Sequence, residues 1–472
     1  MSASVTGGTG RSVIIHNARL IDSGTDERGA LLVRDGLIAG ICLGEDGPDS
    51  LFRMSDESPE LFDARGLVLM PSFIDMHAHF RDPGHTDKED IISASRAAAA
   101  GGYGTVVLMP NTNPVISDAE SALAVRERVQ SAGLIDAFQS VSLTRGFDGT
   151  DTSALENLDP ASVPVATEDG KEVSSAAVML KAMELCARQG VLVSCHCEDP
   201  DLAAAARPFR EQALSVAGGD PACRRDLAAR FTSLSGSADF EPVRANLSQA
   251  GRLLRLAENT MTERNLALAA AAACRVHIAH ISTREALDAV RRYRTERPNG
   301  VSCEVTPHHL ARNDLVPGIV NPPLRSEADR LALVDALADG TIDAIATDHA
   351  PHTAADKAAG APGFSGIQTA FALCHTVLVK NGRISLQRLS ALMSGRPAEL
   401  LALARGRLRV GFAADLVLVD PGLAWKVNAA DSSAWYSRSR NSPVDGETLH
   451  GRVVRTWKAG RTVWFLQQGF TV

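Results

Sequence analysis

Residues 67–84 read LVLMPSFIDMHAHFRDPG, an apolar run that ends in His77, His79 and Arg81. On an extended strand, residues two apart point the same way, so these three side chains are expected on one face. Two neighbouring imidazoles suggest a metal. A guanidinium beside them repels a dication, so Arg81 needs an anion of its own.

Seven further apolar runs follow: GTVVLMP, DAFQSVSLT, VPVAT, VLVSCHC, RVHIAHI, GVSCEVTPHH and DAIATDHA. Ala-rich amphipathic stretches such as DIISASRAAAAG and SSAAVMLKAMELCARQG fall between them. Eight strands alternating with helices predict a (β/α)8 barrel over about 68–404. A doubly wound open sheet is the alternative, but no glycine-rich phosphate loop follows the first strand. Both ends of the chain read as short strands with turns. Residues 1–67 and 405–472 are therefore expected to build one small composite β domain. Residues from about 200 to 250 are long for a connection and predict a helical insertion.

The chain has 472 residues, 45% of them hydrophobic, ample for a large core. A net charge of −8 without a basic run argues against nucleic-acid binding. Eight cysteines without a CxxC pair are expected to be reduced thiols in a cytoplasmic protein. The first residues lack an apolar signal core, and no run is long and charge-free enough to span a bilayer.

The polar residues of interest fall where candidate strands end. His77 and His79 end the first, Asp169 follows the fourth, His196 the fifth, His280 the sixth and Asp348 the eighth. In a closed barrel these ends meet on one rim. Four imidazoles and two carboxylates suit zinc. Six donors exceed one tetrahedral site, so one or two ions are expected, with Asp169 spanning a pair.

DMHAHFRDPG, MPNTNP, HCED, HIAHIST, TPHH, NPPLR and TDHAPH occur in this order. In this the chain resembles the dihydroorotases of the amidohydrolase superfamily, from about residue 12 to about 465. It is similar to the bacterial type in which an aspartate replaces a carbamylated lysine as bridging ligand. The resemblance implies metal ligation by His77, His79, Asp169, His196, His280 and Asp348, and substrate binding by Arg81, Asn111, Asn321 and His352. Spacings of 27 residues, from Asp169 to His196 and from Asn321 to Asp348, agree with it. Two features depart from the pattern. Glu168-Asp169-Gly170 stands where relatives often show DDG, which leaves Glu168 as a weaker ligand candidate and Lys171 as a carbamate candidate. The insertion also separates His196 from His280 by 84 residues.

The implied reaction is reversible hydrolysis of the cyclic amide of dihydroorotate to N-carbamoyl-L-aspartate, run as ring closure in pyrimidine synthesis. A metal makes hydroxide available near neutral pH, and Asp348 is the expected acid–base residue. Arg81 is expected to fork onto the substrate carboxylate, unless it pairs with Asp82 or Glu89. Hydantoinases, dihydropyrimidinases and allantoinases act on substrates without that carboxylate, so Arg81 and NPPLR would lack a purpose there. A non-catalytic partner of aspartate carbamoyltransferase is the other alternative, disfavoured by the complete ligand set. A homo-oligomer, as a dimer, is expected. The segment 352–366, rich in Ala, Gly and Pro, reads as a mobile loop at the site mouth or an ordinary surface loop.

Overall fold

The run at 67–79 divides at Ser72 instead of forming one strand. The computed structural model describes residues 12–44, 48–55, 58–217, 240–314 and 320–471. Ahead of the division lie β1 (Val13–Ile21), β2 (Asp26–Arg34), β3 (Leu37–Leu43), β4 (Glu60–Asp63) and β5 (Val68–Pro71). Beyond it, β6 (Phe73–Ala78) opens a second system. The Ser72 amide donates to Asp415 O and the Phe73 amide to Gly102 O, both at 2.9 Å, so consecutive backbone donors serve different sheets. Gly102 has φ +85°, and a Cβ there would lie 2.8 Å from the Phe73 ring. Only glycine fits that turn.

The second system continues with β7 (Tyr103–Leu108), β8 (Asp136–Gln139), β9 (Val165–Thr167), β10 (Leu192–Cys195), β11 (Val276–Ile278), β12 (Val301–Val305) and β13 (Ala344–Ile345). Neighbours pair in parallel. Single parallel bridges, Val141 to Ala166 and Ala78 to His349, join β8 to β9 and close the ring from beyond β13 to β6. The structure is thus the eight-stranded barrel, not the open sheet. Ile74, Met76, Val107, Phe138, Val165, Leu192 and Ala344, from six of the strands, form one cluster. Side chains from so many strands meet only inside a closed barrel. Helices cover the outside, which is why the strands are almost wholly apolar.

The C-terminal strands β14 (Leu416–Lys426), β15 (Thr448–Lys458), β16 (Arg461–Phe465) and β17 (Gly469–Phe470) extend the first sheet. Its order is β17-β16-β15-β14-β5-β1-β2-β3, with β4 beside β1. Both termini therefore build one sheet, with β5 and β14 at the join. This sheet is fixed to the barrel. Val417, Val453, Val463 and Trp464 share the main core with the Ala-rich helix Ile91–Ala100. Thr456 Oγ1 also donates to Ala99 O at 2.7 Å.

The insertion is helical where it is described, in Pro200–Ala217 and the start of Phe240–Ala271. Its middle lies outside the described residues. The 32-residue second helix runs on past the insertion, and its Met261, Leu266 and Ala269 join the main core. The seven described cysteines are free. No helix among the described residues is long and apolar enough to cross a membrane.

Candidate active site

Strand β6 stops at Ala78, so the extended run through Arg81 expected from sequence does not form. His79 is placed by its amide, which donates to His349 O at 2.8 Å across the barrel closure. Arg81 then turns with φ 60°. His280 (φ 32°) and Asp348 (φ 45°) also sit in the left-handed region that non-glycine residues avoid. Each such residue costs about 1–3 kcal/mol, and such strain concentrates at functional sites.

The rim gathers the predicted ligands. His77 Nε2 lies 3.2 Å from Asp169 Oδ1 and 3.8 Å from Asp348 Oδ1. His79 Nε2 lies 3.1 Å from Asp348 Oδ1 and 3.6 Å from Asp169 Oδ2. His196 Nδ1 is 3.5 Å and His280 Nε2 3.9 Å from Asp169 Oδ1, and these two ring nitrogens are 2.8 Å apart. Two overlapping triads have donor atoms close enough to share an ion: His77, Asp169 and His280, and His77, His79 and Asp348. His196 stands beside the first triad through Asp169 and His280. Asp169 thus turns one oxygen to His77, His196 and His280 and the other to His79.

The donor set fits a divalent metal. His77 Nε2 is buried, faces two carboxylates and makes no hydrogen bond. Its other nitrogen lies 3.0 Å from Glu304 Oε1, which settles which side of the ring is free. Burial opposes charge throughout the cluster, yet the histidines hold the Asp169 and Asp348 carboxyls below the ordinary aspartate range. Burial likewise lowers the His77 and His196 imidazoles, but Asp169 and its neighbours raise both well above the usual value. Burial and Arg81 lower His79.

The predicted substrate residues fall into two groups. Arg81 Nε donates to Pro351 O at 3.2 Å and Nη2 lies 3.3 Å from His352 Nε2. It pairs with neither local acid, because Arg128 holds Asp82 at 2.7 and 2.8 Å while Glu89 accepts from Ser93, Ser437 and the Arg438 amide. Burial, Arg81 and Lys357 push the His352 imidazole down to about 3. Asn111 is engaged on both sides, with Oδ1 2.9 Å from His79 Nδ1 and Nδ2 donating to Asp169 Oδ2 at 3.2 Å. Asn321 lies apart from these and accepts from Arg210 Nη1 at 3.1 Å.

Glu168 and Lys171 both turn away from the cluster. Glu168 accepts from the Thr144 amide and hydroxyl, and burial pushes its carboxyl up to about 7. Lys171 Nζ donates to Phe147 O at 2.7 Å. Arg325 of NPPLR is buried against Glu258, Ser282 Oγ and Leu254 O. It is paired with a carboxylate of the protein itself, whereas Arg81 contacts a carbonyl and an imidazole. The 352–366 segment is tied down by a Thr353–Asp356 capping box, by Lys357 on the Ala361 and Gly363 carbonyls, and by Asn441 on Gly363 O. Glu304, on His77, and Arg210, on Asn321, are not among the residues singled out in the sequence. A glutamate inside the apolar strand GVSCEV was the available signal for the first.

The sequence of the amidohydrolase family matches residues 68–463, and the chain belongs to that family. Its curated relatives are narrower in kind. It is 36% identical over 451 residues to the dihydroorotase of Clostridium botulinum, covering 95% of this chain and 98% of the relative. It is 34% identical over 463 residues to the dihydroorotase of Aquifex aeolicus, covering 96% and 99%. Among solved structures, the L-hydantoinase of Arthrobacter aurescens superposes with a TM-score of 0.74 at 24% identity, covering 96% of this chain and 95% of that one. The dihydropyrimidinase of Brevibacillus agri gives 0.74 at 20%, covering 98% and 96%. These structural likenesses concern the fold.

Proposed function

We propose that this chain catalyses the dihydroorotase reaction, reversible hydrolysis of dihydroorotate to N-carbamoyl-L-aspartate. The observation that carries this is Arg81. It stands beside the ligand cluster with its guanidinium joined to a carbonyl and an imidazole and to no carboxylate among the described residues. Full-length similarity to dihydroorotases supports the same substrate.

His77, His79, Asp169, His196, His280 and Asp348 would hold one or two divalent ions, zinc by donor type, which when bound supply Lewis acidity toward water and the amide carbonyl. Asp348 Oδ1, 3.1 Å from His79 Nε2, takes a proton from the attacking water and returns it to the ring nitrogen as the C–N bond breaks. In ring closure the same proton runs backwards. Arg81 forks the substrate carboxylate, and the neutral His352 beside it adds no competing charge. Asn111 fixes the His79 ring and the Asp169 carboxylate, and Asn321 is assigned to the substrate by the resemblance. The resemblance further supports a cytoplasmic homodimer, with aspartate carbamoyltransferase as its candidate partner.

The deciding experiment measures zinc content and turnover of dihydroorotate, N-carbamoyl-aspartate, dihydrouracil and allantoin on one preparation. Interconversion of the first two is expected. Turnover of only the last two overturns the substrate assignment, and inactivity with zinc restored overturns catalysis.

A further inference from the structure

The insertion after His196 delivers one side chain to Asn321, which the resemblance counts among the substrate-binding residues. Arg210 lies on the helix Pro200–Ala217, and its Nη1 is 3.1 Å from Asn321 Oδ1. No other side-chain hydrogen bond is made by either residue among the described residues. Arg210 also lies in the field of Glu198, whose Oε2 is 3.7 Å from His196 Nε2. On the other side, Pro322 O is 3.0 Å from His309 Nε2, which fixes the backbone next to Asn321.

We propose that Arg210 is a positioning residue for substrate binding, acting through Asn321. A guanidinium can only donate, whereas a primary amide has a donor end and an acceptor end. Beside Arg210 the amide must present its oxygen to the guanidinium. Its NH2 group is thereby directed the other way, as a donor for a substrate oxygen. Without Arg210, both flips of the amide become available and only one offers donors to an anionic, carbonyl-rich ligand. Arg210 therefore gives the insertion a role in substrate affinity. The proposal rests on the dihydroorotase reading, because it needs a substrate that presents acceptors to Asn321.

The test is a double-mutant cycle of Arg210→Met and Asn321→Ala on the zinc-loaded enzyme. Arg210→Met is expected to raise KM for dihydroorotate about 5- to 30-fold while kcat changes less than about threefold. In the Asn321→Ala background the same change should add less than about twofold. Arg210→Lys, which keeps a donor, should recover part of the loss. Zinc content and melting temperature should stay near wild type. Equal effects of Arg210→Met with and without Asn321, an unchanged KM, or loss of zinc overturns the proposal. Should Arg210→Met not fold, Arg210→Gln carries the same cycle, since glutamine can present either end to Asn321. Wild-type enzyme without dihydroorotate turnover defeats the functional reading instead, a result read before any variant is compared. If another cyclic amide is turned over, the cycle is run on that substrate.

Discussion

Glu304 Oε1 lies 3.0 Å from His77 Nδ1, although the two residues stand 227 apart in the chain. Both are 1% exposed. The second oxygen of Glu304 lies 3.1 Å from His277 Nε2, and His277 Nδ1 is 2.8 Å from Ser302 Oγ. Burial raises the Glu304 carboxyl, but His277 and His77 outweigh it and bring it down to about 2. An ionised carboxylate on Nδ1 fixes the tautomer and aims Nε2 at the cluster. Glu304→Gln should weaken zinc binding roughly 10- to 100-fold, measured by competition with a chromophoric chelator. Unchanged affinity would leave Glu304 a packing residue only.

Asp348→Asn removes the group assigned to carry the proton but keeps its shape. Turnover should fall by about 10²- to 10⁴-fold with the circular dichroism spectrum unchanged. Near-normal turnover would refute the acid–base role.

Arg81→Met keeps much of the side-chain volume and removes the fork. The KM for dihydroorotate should rise roughly 10- to 100-fold with zinc still bound, as expected for losing a charge-assisted pair. Zinc loss would instead make Arg81 a structural residue of the rim.

Metal uptake should depend on pH with a definite sign. In the metal-free chain Asp169 and its neighbours raise the His77 and His196 pKa values, after burial has acted against them. Those protons must leave before the imidazoles can bind a metal. Zinc affinity should therefore fall as pH is lowered and rise as those two imidazoles lose their protons. Calorimetry in buffers of different ionisation enthalpy should show net proton release. Binding without proton release at neutral pH would contradict the raised values.

Much of the site was legible because a barrel strand buries its length and exposes its end. His77, Asp169, His196, His280 and Asp348 could each be recognised as a polar residue closing an apolar run. Asn111 was legible as a site residue, but its two contacts with His79 and Asp169 were not. NPPLR counts with Arg81 toward a carboxylate substrate in the sequence, and the buried partner of its Arg325, Glu258, sets the two apart.

The sequence by itself determined the alternation of strands and helices, the strand-and-turn character of both ends, and the residue types at the rim. Those follow from local periodicity, which depends on near neighbours along the chain. Tertiary structure alone decided that the apolar run divides at Ser72, that Arg81 turns out of the strand, and that Asp169 faces histidines on both sides. It also brought Glu304 to His77 and Arg210 to Asn321. These relationships depend on barrel closure and on where an inserted helix lands, and neither leaves a periodic trace in the residues that meet.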